Sequence, residues 1–389
     1  MSQRFALTAP RIFDGEQWLH DSALVLRDGL IETVTASGAI PSGIPVVSIH
    51  EGMIVPGFVD LQVNGGGGGV LNEHPDIDGI RTICAAHARF GTTGLLPTLI
   101  TDTREITAAA ISGGLEAERR KVPGFLGLHL EGPHLSVERK GAHDPALIRP
   151  MDDSDLVRLI EARKHLSVLL LTAAPENITN EQIKMLVQAG IVVSLGHSDS
   201  SYAIASQAAA SGASMVTHLF NAMSPLSHRE PGMVGAALDI GSLNAGLIAD
   251  GLHVDPASIR IALRAKTGPG HIFLVTDAMS TIGTDMTSFT LNGRTVYRAD
   301  GRLTLADGTL AGADLDMISA VRFMHRAIGL PLDEALRMAS LYPAESIGLG
   351  DRLGALRKGM VASFLHLDDA LDVKRTVIDG QVVFGSPLE

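Results

Sequence analysis

Four short apolar runs of this chain each end in a side chain that can bind a metal ion or move a proton: Glu131, His197, His218 and Asp277. Carboxylate and imidazole groups are good ligands for Zn²⁺ and related ions, and a catalytic site keeps one coordination position open for water. Glu131, His197 and His218 are therefore candidate metal ligands. Asp277 is the candidate base that takes a proton from an activated water and later gives it to a leaving amine. The pattern indicates a metal-dependent hydrolase.

The elements that must position these side chains are eight continuous apolar runs that alternate with helical patterns. Continuous hydrophobicity indicates burial on both faces, as in a parallel sheet. Eight strand–helix units in a row predict an α/β fold, a (β/α)₈ TIM barrel, with a doubly wound open sheet as the alternative. The predicted strands are 58–64, 93–100, 125–131, 167–173, 191–197, 214–218, 244–249 and 272–277.

Helical patterns lie between these strands, and several begin after a residue that commonly caps a helix. Ser198 is the candidate N-cap of a helix over 198–211, and Asp255 precedes the helix 256–266. The remaining predicted helices cover 77–90, 104–120, 153–165 and 180–189.

The two ends of the chain have a different pattern, with short β segments and the hairpin signals Asp28-Gly29 and Asp379-Gly380. They predict one small β-sandwich-like domain assembled from residues 1–55 and 359–389, with the barrel at 56–358 between them. A polar, β-rich insert at 288–309 follows the eighth predicted strand.

Composition excludes several classes of partner. The 389 residues include 31 basic and 43 acidic ones, and the net charge of −12 argues against nucleic acid and anionic membrane surfaces. A small anionic substrate remains compatible, because one arginine can hold a phosphate. A single cysteine, Cys84, no signal-peptide pattern and no apolar run long enough to span a membrane predict a cytoplasmic protein.

Eight short segments together carry a resemblance to a known enzyme family. They are 56–60, 129–133, 140–143, 196–198, 217–223, 229–232, 249–255 and 274–278. Over nearly its whole length the chain resembles the N-acetylglucosamine-6-phosphate deacetylase family of the amidohydrolase superfamily. The resemblance implies hydrolysis of the acetamide of N-acetyl-D-glucosamine 6-phosphate to D-glucosamine 6-phosphate and acetate.

The resemblance also implies roles for individual residues. Glu131, His197 and His218 would bind one divalent metal ion per subunit, and Asp277 would be the acid/base. In this family the residues matching Arg229 and His253 help bind the phosphate, with the arginine supplied across the interface of a homodimer. A tetramer is the alternative assembly. The implied substrate-binding residues are Ala142, His143, Asn221, Ala222, Arg229, Asp250, Gly251, Leu252, His253, Leu310, Ala311 and Gly312, the last three forming a turn.

The roles of His143 and His253 stay open at this point, because either could instead polarise the amide carbonyl. Many members of the superfamily carry His-x-His at the end of the first strand and build a two-metal site, but this chain has Gln62-Val63-Asn64. Amides are poor substitutes for imidazole as zinc ligands, so a single-metal site is predicted. Gln62 and Asn64 are predicted to form hydrogen bonds near the metal water, and the alternative is that they only cap the strand.

Three alternatives remain. One glutamate and two histidines favour Zn²⁺ but also accept Fe²⁺, Co²⁺ or Mn²⁺. The substrate could be N-acetylgalactosamine 6-phosphate, or the chemistry could be another amidohydrolase reaction, such as deamination or opening of a cyclic ureide. A non-catalytic scaffold is disfavoured because all four candidate residues are present.

Overall fold

The computed structural model of the chain describes residues 4–388, and a barrel of eight parallel strands lies at its centre. The strands pair in sequence order, and the first and eighth meet through a bridge between Val63 and Ala278 and a hydrogen bond from Asp277 N to Gln62 O of 2.9 Å. The predicted barrel is confirmed. The eight strands are Phe58–Val63, Thr92–Ile100, Leu128–Glu131, Leu169–Ala173, Val192–Leu195, Met215–Val216, Asn244–Ile248 and Ile272–Val275.

The helices pack around this barrel. The helix predicted from 198 begins at Tyr202 with Ser201 as its N-cap, so the assignment of Ser198 as the cap is wrong. The Ser198 hydroxyl instead donates to Glu176 over 2.8 Å. The α-helices are Ile77–Ala88, Arg104–Arg120, Asp153–Arg163, Asn180–Gln188, Tyr202–Ala210, Gly232–Asp239, Pro256–Ala265, Met317–Phe323, Leu332–Ala339 and Leu341–Ser346, with a π turn at Met324–Ile328 and 3₁₀ turns at Ser37–Ala39 and Val137–Arg139. Within residues 4–388, no helix combines the length and apolarity needed to cross a membrane.

Both ends of the chain contribute to two further sheets that share one hydrophobic core, which includes Leu24, Ile54 and Phe364. A small β unit built from both termini is therefore confirmed as part of the fold. The four-stranded sheet consists of Leu30–Ala36, Ser22–Arg27, Arg4–Thr8 and Val46–Ser48. The six-stranded sheet consists of Gln381–Phe384, Val373–Ile378, Phe364–Leu367, Met53–Pro56, Arg11–Phe13 and Trp18–His20.

The domain boundaries remain a proposal. The division after residue 358 falls in the turn-rich segment before Phe364, but the division after residue 55 falls inside the strand Met53–Pro56. That strand pairs with both Arg11–Phe13 and Phe364–Leu367, so the chain leaves the small β unit from the middle of a sheet.

The insert after the eighth barrel strand forms a four-stranded antiparallel sheet with its own small core. Its last strand, Leu310–Ala313, includes the three residues predicted to form a turn, so that prediction is wrong. The strand pairs with Arg302–Thr304, and Ala313 N donates to Asp277 O over 2.9 Å, which ties the insert to the end of the barrel. The insert strands are Ser288–Leu291, Arg294–Ala299, Arg302–Thr304 and Leu310–Ala313, and a short hairpin of Gly65–Gly66 and Gly69–Val70 lies after the first barrel strand.

Candidate active site

The three candidate metal ligands form a tight triangle at the carboxyl ends of barrel strands three, five and six. Glu131 Oε1 lies 3.3 Å from His197 Nε2 and 3.2 Å from His218 Nε2, and the two imidazole nitrogens are 3.0 Å apart. A tetrahedral ion about 2.0–2.1 Å from each ligand places its ligand atoms roughly 3.3–3.4 Å from one another. The triangle therefore has the size of one face of a tetrahedral metal site.

The hydrogen bonds of these residues fit a cation at the same place. His197 Nδ1 lies 2.8 Å from the carbonyl oxygen of Arg139, which can only accept, so the proton is on Nδ1 and the lone pair of Nε2 faces the triangle. Burial alone would raise the pKa of Glu131, but the neighbouring imidazoles of His197 and His218 hold it well below its usual value. A carboxylate and two imidazole nitrogens that converge in a buried space are the donor set of a divalent metal ion.

His143 is the other histidine at this site. Donor atoms of Glu131, His143 and His197 all lie within 4.8 Å of one another, which would allow His143 as a ligand in place of His218. However, the backbone N–H of Thr101 donates to His143 Nδ1 over 3.3 Å. Burial, with help from His197, lowers the pKa of His143 to about 3, so the ring is neutral. The Thr101 hydroxyl also lies 2.8 Å from Nδ1 and can donate to it, and with Nδ1 accepting from Thr101 the proton of the ring is on Nε2. His143 thus offers an N–H, and the shorter distances also favour His218 as the ligand.

Asp277 lies beside the triangle and is held by the two amides of the first barrel strand. Asn64 Nδ2 donates to Asp277 Oδ1 over 2.6 Å, and Gln62 Nε2 donates to Asp277 Oδ1 over 3.2 Å and to Glu131 Oε1 over 3.0 Å. The amides therefore bridge the candidate base and a candidate ligand, which goes beyond capping a strand. Burial, followed by the negative charge of Glu131, raises the pKa of Asp277 to about 6. A carboxyl that titrates near neutrality can both accept and return a proton.

The backbone at three of these four residues is left-handed. The φ angles of His197, His218 and Asp277 are 48°, 29° and 51°, and barrel strands five, six and eight end two residues before them. The strand ends predicted at these three residues are therefore wrong. A left-handed conformation costs an L-residue roughly 1–2 kcal/mol, and such strain is concentrated at functional sites.

A cavity of about 380 Å³ opens over the triangle. The predicted site residues that line it are Asn64, Glu131, Ala142, His143, His197, His218, Asn221, Ala222, His253, Asp277, Leu310, Ala311 and Gly312. Gln62 lies behind this wall with 2% of its surface exposed, where it holds Glu131 and Asp277. The structure thus brings most of the predicted residues together around one space.

Comparison with known proteins assigns the chain to a family. The model of the amidohydrolase family matches residues 53–383, and that of the NagA composite domain matches residues 4–54. The chain belongs to the amidohydrolase family. It is 43% identical to an N-acetylgalactosamine-6-phosphate deacetylase of Shewanella sp. (strain ANA-3), covering 93% of this chain and 91% of the relative. It is 35% identical to an N-acetylglucosamine-6-phosphate deacetylase of Haemophilus influenzae, covering 97% and 99%.

Solved structures agree with this amidohydrolase assignment. An N-acetylglucosamine-6-phosphate deacetylase from Pasteurella multocida superposes with a TM-score of 0.93 at 36% identity, covering 97% of this chain and 99% of that one. The corresponding enzyme from Mycobacterium smegmatis gives a TM-score of 0.89 at 32% identity, covering 98% and 100%. The predicted membership in the amidohydrolases is therefore confirmed.

In this amidohydrolase, residues 250–253 were all predicted to bind substrate, but they have different structural roles. His253 lines the cavity, and its Nδ1 lies 2.6 Å from Asp250 Oδ2. The other oxygen of Asp250 accepts the backbone N–H groups of Leu252 and His253, each over 2.8 Å. Gly251 has a φ of 74°, which suits glycine, and Leu252 is 37% exposed. Of the described residues in this segment, only His253 lines the cavity, and Asp250 orients it.

Arg229 is exposed and is not among the described residues that line the cavity of its own chain. Several residues that do line it were not predicted from the sequence. Arg139 precedes the motif at 140–143 and Gly141 lies within it, and this proximity was the available signal, whereas the other residues depend on how distant elements pack. The missed lining residues are Ile100, Glu138, Arg139, Gly141, Ile248, Met279, Leu291 and Thr309.

Proposed function

We propose that this amidohydrolase removes the acetyl group of N-acetyl-D-glucosamine 6-phosphate, releasing D-glucosamine 6-phosphate and acetate. The observation that carries the proposal is the triangle of Glu131, His197 and His218 with Asp277 beside it, in the wall of a cavity of about 380 Å³. Structures of N-acetylglucosamine-6-phosphate deacetylases share the fold over nearly the whole chain. A charged sugar phosphate does not cross a bilayer unaided, which supports the proposed cytoplasmic location.

In the proposed reaction, Glu131, His197 and His218 would hold a divalent ion, which would polarise the amide carbonyl and lower the pKa of a water molecule. Asp277 takes the proton of the attacking water as oxygen adds to the carbonyl carbon. His143 donates its N–H to the carbonyl oxygen, where negative charge develops. The C–N bond then breaks, Asp277 gives its proton to the sugar nitrogen, and acetate leaves. One ion per subunit is proposed, with Zn²⁺ favoured by the tetrahedral spacing.

The role of His143 leads to a prediction. His143→Ala should lower kcat about 10²–10³-fold, since the variant lacks a donor aimed at the developing oxyanion. The metal content should stay at the wild-type level, because the neutral ring offers a proton and not a lone pair. His143→Gln retains an N–H donor and should recover part of the rate. If His143→Ala lost bound metal in proportion to its loss of activity, His143 would be a metal ligand and this assignment would be wrong.

We further propose that the protein is a homodimer in which Arg229 reaches the phosphate in the neighbouring subunit's site. Support comes from its exposure, its absence from the described lining of its own cavity, and the exposed Leu226 in the same loop, at 56%. Arginine binds phosphate through two parallel hydrogen bonds, which suits this task. His253, fixed by Asp250, is the proposed phosphate-binding partner from the same chain. A tetramer built from such dimers remains the alternative.

Arg229→Ala should raise KM for the phosphorylated sugar about 10–100-fold, the equivalent of one charge-assisted hydrogen bond. KM for the unphosphorylated sugar should change little. A mixture of Arg229→Ala and Asp277→Asn subunits tests whether the arginine acts across the interface. If it does, mixed dimers hold one complete site and recover activity at low substrate concentration that neither variant shows alone. Equal effects on both sugars, or no recovery in the mixture, would contradict the proposal.

A second candidate substrate is N-acetylgalactosamine 6-phosphate, because a 43% identical relative carries that name. The two sugars differ in the orientation of a single hydroxyl, so the same catalytic groups serve both. The deciding experiment is acetate release from each sugar phosphate and from unphosphorylated N-acetylglucosamine, with metal content measured on the same sample. The higher kcat/KM identifies the substrate. No release from fully metallated protein would discard the deacetylase and redirect the search to other amides and cyclic ureides.

A further inference from the structure

Asp60, in the first barrel strand, is a buried carboxyl that the proposed chemistry does not use. It is fully buried, and burial raises its pKa to about 7, although a hydrogen bond from Thr276 opposes the shift. Burying a carboxyl is costly unless hydrogen bonds compensate it. Asp60 does not line the cavity among the described residues, so it does not face a substrate.

The hydrogen bonds of Asp60 cross the seam where the first and eighth barrel strands meet. Oδ2 lies 2.6 Å from the hydroxyl of Thr276, and Oδ1 accepts the backbone N–H of Thr276 over 3.3 Å. Oδ1 also accepts the backbone N–H of Gln62 over 3.2 Å. The carboxyl therefore contacts the residue before Asp277 and the residue whose amide holds Asp277.

Two further hydrogen bonds hold the backbone at and after Asp277, the proposed base. The Thr276 hydroxyl accepts the backbone N–H of Ala278 over 3.3 Å, while Asp277 N donates to Gln62 O over 2.9 Å. Regular pairing of strand eight ends at Val275, and Asp277 has a φ of 51°. Aspartate adopts that conformation more readily than most L-residues but still at a cost, so neighbouring contacts help to hold it.

We propose that Asp60, acting through the Thr276 hydroxyl, is a positioning residue for Asp277. The pair holds the left-handed turn so that Asp277 Oδ1 stays within reach of Asn64 Nδ2 and Gln62 Nε2. The inference rests on the proposed function in one respect, namely that Asp277 is the base. Asp60 and Thr276 affect the reaction only through the position of the Asp277 carboxylate.

Thr276→Val and Thr276→Ser form the matched test. Valine keeps the branched shape and the backbone N–H but lacks the hydroxyl that joins Asp60 to Ala278, whereas serine keeps the hydroxyl. Thr276→Val should lower kcat about 10–100-fold, the effect of a small misplacement of a catalytic group. KM should change less than about threefold, because substrate binding is not altered. Metal content should match the wild type, and Thr276→Ser should retain most of kcat.

Asp60→Ala supplies the second variant. If Asp60 and Thr276 act along one path, the double variant Asp60→Ala/Thr276→Val should lose no more kcat than the worse single variant. If Thr276→Val kept the wild-type kcat, even with a lower melting temperature, Asp60 and Thr276 would have only a structural role and the inference would be wrong. A metal content that falls in proportion to kcat in these variants would also overturn the inference. Asp60 and Thr276 would then act on the triangle of Glu131, His197 and His218 and not on Asp277.

Crystal structures of Thr276→Val and Thr276→Ser without substrate give a readout independent of activity. In the valine variant Asp277 Oδ1 should leave hydrogen-bond distance of Asn64 Nδ2, and in the serine variant it should stay. If the wild type released no acetate, the proposed function would fail, and these structures would still decide the positioning. An unmoved carboxylate in Thr276→Val overturns it, and a displaced one supports it.

Discussion

Asp277→Asn is expected to lower kcat by about 10²–10⁴-fold or more, the contribution typical of a general acid–base group. Asparagine has nearly the same shape, and its oxygen can still accept the hydrogen bond that Asn64 Nδ2 donates over 2.6 Å. Its amide cannot take a proton from water or return one to the sugar nitrogen. The proposed metal ligands are untouched, so the metal content should equal that of the wild type.

The experiment measures kcat with the sugar phosphate and metal by elemental analysis on the same preparations. Asp316→Asn is a matched control, because Asp316 is an aspartate that caps the helix Met317–Phe323. Asparagine caps helices about as well as aspartate, so this control should keep wild-type kcat. Wild-type turnover in Asp277→Asn would move the base to another residue and refute the proposed mechanism.

Glu131→Gln should lose both the metal and the activity. The carboxylate is the only formal negative charge in the triangle, and its Oε1 lies 3.2–3.3 Å from both imidazole nitrogens. A neutral amide keeps the shape but is a poor ligand for a divalent ion. Metal content after dialysis should fall from about one ion per chain to near zero, because two imidazoles alone do not make a catalytic metal site.

Glu138→Gln is the control for this variant. Glu138 also lines the cavity, but it accepts a hydrogen bond from Ser136 over 2.8 Å and lies outside the triangle. Its replacement should leave the metal content unchanged. Full metal occupancy in Glu131→Gln would remove Glu131 from the ligand set and reopen the case for His143.

The barrel was predictable because burial on both faces of a parallel strand leaves a continuous apolar run in the sequence. The residues at the ends of those runs were predictable for the same reason, since strand ends of a barrel meet at one face. The predictions that were wrong concerned the local backbone conformation at the strand ends. The strands end two residues before His197, His218 and Asp277 because the backbone turns left-handed there. Histidine and aspartate adopt this conformation more often than most residues, but they do so too rarely for the residue type alone to predict it.

Other features depended on contacts between distant segments. Leu310–Ala313 is a strand because it pairs within the insert and with the end of the barrel, whereas the family resemblance implied a turn at residues 310–312. The tautomer of His143 is set by a hydrogen bond from Thr101, which lies 42 residues earlier in the chain. Asp60 meets Thr276 across 216 residues, a contact that only barrel closure creates.

The seam between the first and eighth strands also bears on the order in which this site is assembled during folding. The facing nitrogens of His197 and His218 belong to residues only 21 positions apart on neighbouring strands, whereas Gln62 and Asp277 are 215 positions apart. Contacts between distant parts of a chain are slow to form. The contact between the two histidines is therefore expected to form early, and the contact that holds Asp277 is expected to form late, when strand eight docks against strand one.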